Sequence, residues 1–144
     1  VKCMNQMKIS FKSNLVNEVF ARNAVGAFIL YLNPTIDDLI EIKTIVSEAV
    51  TNAIVHGYNQ DPYQDVYLSV SIQNHSILIE VEDHGCGIEN IQQATLPLYT
   101  SKPSQEHAGM GLSIIETLCD DFEIESSLNI GTKLIMKKSL NHEK

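Results

Sequence analysis

Asp65-Val66-Tyr67-Leu68-Ser69-Val70-Ser71-Ile72-Gln73 and Ser76-Ile77-Leu78-Ile79-Glu80-Val81-Glu82-Asp83 are separated only by Asn74-His75. Val66, Leu68, Val70 and Ile72 alternate with less apolar neighbours, as do Ile77, Ile79 and Val81, so each run presents one apolar face every second residue. Two such runs joined by a two-residue turn predict an antiparallel hairpin with one face buried. Upstream, Asn59-Gln60-Asp61-Pro62 is turn chemistry. Before it, Ile36, Leu39, Ile40, Ile42, Ile45, Val46, Ala49, Val50, Ala53 and Ile54 make a wide helical stripe. Thr35 caps this helix, Asp38 favours its positive end, and Gly57 ends it after His56.

A further helix is predicted over 14–32, with Leu15, Val16, Val19, Phe20, Ala24, Ala27, Phe28 and Leu32 as its buried face, and a short strand over 8–12. Residues 84–109 show little periodicity beyond a short helix near 89–94, and irregular loops of that length inside a domain usually carry function. A helix over 110–119 and a second hairpin, 122–126 with 132–137, complete the pattern. The expected architecture is α+β: a two-layer sandwich of a mostly antiparallel, mixed sheet with helices on one face. One domain spanning 1–144 is expected, with 1–7 and 140–144 loosely ordered and a lid over about 95–111.

The chain has 144 residues, 44% of them apolar, with 10 Lys+Arg against 18 Asp+Glu for a net charge of −8. Arg22 is the only arginine, and between Thr44 and Thr132 Lys102 is the only cation against thirteen carboxylates. Such a field repels nucleic acid and anionic lipid. Cys3, Cys86 and Cys119 are odd in number and widely spaced, which indicates neither a disulfide framework nor a zinc site and suits a reducing cytoplasm. The longest apolar run, 24–32, is too short to span a membrane.

Glu48, Asn52 and His56 are spaced four apart and share one helical face. Asn52 offers a hard oxygen to Mg²⁺ and Glu48 can accept a proton from a nucleophile, although a solvated helix face has the same spacing. His56 alone suits a helix C-terminal cap. Asp83-His84-Gly85-Cys86-Gly87 follows a strand, where a carboxylate can accept a hydrogen bond from an exocyclic amine and glycines let backbone approach a flat ligand. A dinucleotide fingerprint fails because Asn90 stands where its third glycine belongs, and no P-loop pattern is present. Gly109-Met110-Gly111 precedes a helix and leaves backbone amides open to phosphate, with Thr100, Ser101 and Lys102 upstream. Gly131-Thr132 opens the last strand.

Together these elements resemble the nucleotide-binding boxes of the Bergerat-type superfamily that includes gyrase, Hsp90, MutL and the histidine kinases, over about residues 8–138. Glu48-Ala49-Val50-Thr51-Asn52-Ala53-Ile54-Val55-His56-Gly57-Tyr58, Pro97-Leu98-Tyr99-Thr100-Ser101-Lys102-Pro103 and Gly109-Met110-Gly111-Leu112 are similar to its small serine kinases that double as anti-sigma factors in endospore-forming bacteria. The resemblance implies a homodimer that uses ATP/ADP and Mg²⁺. It further implies inhibition of a sporulation sigma factor (sigma F) and phosphorylation of an anti-anti-sigma antagonist on serine. Residue by residue, it implies Glu48 as general base and Asn52 as Mg²⁺ ligand. Asp83 would read adenine with Thr132, while Gly85, Gly87, Thr100, Lys102, Gly109, Met110 and Gly111 line the nucleotide. Arg22 would contact partner proteins. The resemblance also leads one to expect an arginine in the lid just before the Gly-x-Gly, where this chain has His107. A sigma-binding nucleotide sensor without turnover and a water-using ATPase would keep the same boxes.

Overall fold

In a computed structural model of the chain, residues 5–91 and 111–141 are described. The order is β1 (Asn5–Lys12), α1 (Val16–Ile29), α2 (Ile36–Thr51), β2 (Asp65–Gln73), β3 (Ser76–Asp83), α3 (Gly111–Leu118), β4 (Asp121–Ser127) and β5 (Gly131–Ser139). A 3-10 turn, Leu30–Leu32, follows α1, and α2 continues into a π-helical segment, Asn52–Gly57. The five strands lie in the order β1-β2-β3-β5-β4, and every pairing is antiparallel, so the parallel component of the expected mixed sheet is absent among the described residues.

The central hairpin has the bounds its alternation predicts. Val66, Leu68, Val70, Ile72, Ile77, Ile79 and Val81 are buried with Leu134 and Met136 of β5 against Ile42, Ile45, Val46, Ala49 and Val50 of α2. Asn74 takes the left-handed conformation (φ 56°) that a tight turn needs. β1 starts at Asn5 rather than Lys8, and Leu140 is buried.

The expected buried face of the first helix holds only in part: Leu32 is buried and Phe28 packs against the core, but the N-terminal half is misplaced. Ala21, Val25, Gly26 and Ile29 face inward, while Leu15, Val16, Val19 and Phe20 are exposed. The helix is apolar around most of its circumference, and close approach to α2 selects the side with small residues: a Cβ on Gly26 would lie 2.6 Å from Lys43 Cε. Ile36 and Ile40 are likewise exposed rather than part of the α2 stripe.

Two polar contacts fix the helices. Thr35 Oγ1 accepts the Asp38 N–H at 3.0 Å and Asp38 Oδ2 accepts the Thr35 N–H at 3.1 Å, a reciprocal cap. The same buried carboxylate accepts the Asn141 N–H, tying the chain beyond β5 to the start of α2. Lys138, on β5, donates to Glu41 Oε1 at 2.7 Å and to Leu118 O at 2.9 Å, holding the last turn of α3 to α2.

Candidate functional site

The C-terminal half of α2 supplies Glu48 and Asn52, both half-buried. Beyond Asn52 the helix widens to π geometry: the Tyr58 N–H reaches Ala53 O at 2.9 Å, five residues back. Such wide turns occur mostly as short bulges within α-helices, frequently at functional sites. Gly111, at the start of α3, packs against Glu48; a Cβ there would stand 3.2 Å from Glu48 Oε1. The carboxylate thus lies beside the amide-bearing end of α3.

The widened turn closes at Gly57 against the end of β3. A Cβ on Gly57 would come within 2.7 Å of the Asp83 carboxyl carbon, so glycine leaves the acid its place. Asp83 is 2% exposed and accepts the Gly85 N–H at 2.8 Å. Burial pushes its pKa up to about 6, opposed by the N–H groups of Gly85 and Thr132. β3 and β5 are in register with Asp83 opposite Thr132, and the Thr132 hydroxyl shares a 2.8 Å hydrogen bond with Ser126 Oγ. Ser126 Oγ in turn accepts the Ile88 N–H at 2.7 Å. The loop after Asp83 is therefore pinned on both sides, with the Cys86 N–H donating to Gly57 O at 2.9 Å and Cys86 O accepting the Asn129 N–H at 2.8 Å.

The glycines here serve protein packing, a use the motif alone does not reveal. A Cβ on Gly85 would overlap Gly57 O at 2.0 Å, and one on Gly87, whose φ is +78°, would overlap Ser127 O at 2.3 Å. Gly131 adopts φ +145°, and a Cβ there would overlap Asp83 O at 2.2 Å. Gly57, Asp83, Gly85, Gly131 and Thr132 thus form one corner at the end of α2, with Asn52 and then Glu48 further back along the helix. Tyr58, quoted within the motif without a role, joins this corner through its hydroxyl, as does Ser126. Neither carries a spacing signal that would have marked it. Arg22 lies on α1 and its guanidinium pairs with Glu18 at 3.0 Å. Thr100, Lys102, His107, Gly109, Met110 and most of the lid fall outside the described residues, as does Cys3. Cys86 and Cys119 are free, and no helix among the described residues is long and apolar enough to cross a membrane.

Residues 14–138 match the histidine kinase-like ATPase domain model, and the chain belongs to that family. Within the family its relatives are specific. It is 53% identical to the anti-sigma F factor of Clostridium perfringens (strain SM101 / Type A), over 95% of this chain and 98% of the relative. To the anti-sigma F factors of Anoxybacillus flavithermus and Geobacillus thermodenitrificans it is 49% identical, in each case over 97% of this chain and 96% of the relative. Among solved structures, the RsbU and RsbW domains of Rv1364c from Mycobacterium tuberculosis share the fold (TM-score 0.69, 17% identity), with 95% of this chain and 32% of that longer one covered. The SiaB–SiaC complex from Pseudomonas aeruginosa also shares it, at TM-score 0.63 and 10% identity, with 91% and 88% covered.

Proposed function

We propose that this chain is an ATP-dependent serine kinase and an anti-sigma factor: it phosphorylates an anti-anti-sigma antagonist and sequesters sigma F, as a cytoplasmic homodimer. The observation that carries the reading is the run of one helix past three chemistries, with Glu48 against Gly111, Asn52 one turn on, and the buried Asp83 at the closing glycine. The names of the curated relatives support the sigma-factor half.

Asp83 accepts the exocyclic amine of adenine, with Thr132 beside it, while Gly85 and Gly87 shape the loop. Thr100, Gly109, Met110 and Gly111 would line the nucleotide, with Lys102 approaching its phosphates. Among the described residues no cluster of three His, Cys, Asp or Glu side chains could hold a metal. Mg²⁺ takes few protein oxygens and keeps its waters, and the half-buried side-chain oxygen of Asn52 would hold it. When bound, the ion neutralises charge on the phosphates. Glu48 takes the proton of the attacking serine hydroxyl, and Arg22 meets the partner proteins.

The test is transfer of labelled γ-phosphate to a purified anti-anti-sigma protein. Wild type should label a serine, and Glu48→Gln should lower transfer by about 100-fold or more while binding ADP almost normally. Persistent transfer in that variant overturns the base assignment. ATP hydrolysis without labelling identifies a water-using ATPase, and neither labelling nor hydrolysis with sigma F still captured identifies a sensor without turnover.

A further inference from the structure

Continued past Tyr67–Glu82, the β2–β3 register passes Val66–Asp83 and brings Asp65 opposite His84 two rungs on. That rung is not made. The Tyr58 hydroxyl stands in its place, accepting the His84 N–H at 2.6 Å and donating to Asp65 O at 2.7 Å. The phenol reaches this position because the π-helical segment ends at Gly57 and turns Tyr58 inward, where it is 8% exposed. One hydroxyl therefore satisfies both backbone groups that a longer hairpin would have paired with each other, and it keeps the strands apart at that point. The consequence falls on the next residues. Released from the ladder at His84, the chain crosses to the end of α2, where Gly85 lies against Gly57 O and the Cys86 N–H bonds to it.

We infer that Tyr58 is a positioning residue for base recognition: its hydroxyl is a wedge that ends the β2–β3 ladder and sets the Asp83–Cys86 loop at the height adenine requires. The ligand in this inference rests on the proposed nucleotide site; the wedge itself does not. Tyr58→Phe keeps the ring and removes only the bridge. His84 N–H and Asp65 O are then left to pair directly or to go unsatisfied, and either result draws the loop off Gly57.

Expected for Tyr58→Phe is about a tenfold loss of ADP and ATP affinity, the cost of two hydrogen bonds at a recognition loop. The preference for ATP over GTP should fall in proportion, while phosphotransfer at saturating ATP stays within about twofold, a split that marks positioning rather than chemistry. In the chain without nucleotide, the Cys86 amide should exchange with solvent at least about ten times faster than in wild type. Unchanged affinity and selectivity would overturn the inference. So would an equal loss for ATP and GTP accompanied by a large drop in melting temperature, which would mark a packing residue. Should wild type bind no adenine nucleotide, the functional reading fails on its own, and Cys86 exchange still decides the wedge: an unchanged rate in Tyr58→Phe eliminates it.

Discussion

The two ends of α2 solve opposite problems. At its start, Thr35 and Asp38 satisfy one another and Asp38 also takes the Asn141 N–H, so the buried carboxylate has donors from both sides. At its finish the helix widens, and a second buried carboxylate, Asp83, is held with its pKa raised by burial despite two backbone donors. The closed end resembles an ordinary well-capped helix. The open end keeps a carboxylate under-solvated and packs glycine against backbone to do it, the arrangement expected where binding is put ahead of stability.

The severest way to break this contrast is Gly131→Ala, which places a methyl group against Asp83 O at a backbone angle that L residues rarely adopt. It should destabilise by about 3–4 kcal/mol in urea denaturation and abolish nucleotide binding with it. Asp83→Asn should work in the other direction. The unfolded carboxyl titrates near 3.8 and the folded one near 6, so the folded chain holds the extra proton between those values. Folding stability on this account rises as pH falls from about 6 to 4, and at pH 7 the buried anion costs roughly 2–3 kcal/mol. The Asn variant should therefore be more stable than wild type at pH 7 by a similar amount, lose the pH dependence in that window, and bind ATP poorly; lower stability at pH 7 would count against the open-end interpretation. Smallest is Asp38→Ala at the closed end, expected to cost about 2 kcal/mol by thermal melting with ADP affinity unchanged. A matching loss of ADP affinity would mean the two ends are coupled.

The parts legible in the sequence are those where one period dominates. Alternation bounded the hairpin, and the Thr35 cap with a glycine stop bounded α2 to within its last turn. The face of α1 was not legible, because Leu15, Val16, Val19 and Phe20 repeat as regularly as Ala21, Val25 and Ile29, and only contact with α2 chooses between them. At the corner, Glu48, Asn52 and Asp83 could be singled out as residue types, but not the geometry that holds them. No spacing announces a switch from i+4 to i+5 hydrogen bonding, and a tyrosine after a helix gives no sign that its hydroxyl will occupy a rung of a sheet. The glycines were read as room for a ligand; Gly85 and Gly87 first make room for Gly57 O and Ser127 O.

The strand order carries a consequence in time. β5 inserts between β3 and β4 and brings Thr132 and Gly131 to Asp83 from 49 and 48 positions further along the chain. Emerging from the ribosome, β1 to β3 can pair in sequence as each is made, while the corner stays open on one side until Gly131 and Thr132 have been synthesised. A nascent chain thus has a hairpin long before the corner around Asp83 is closed, and that closure comes as one of the later events of its folding.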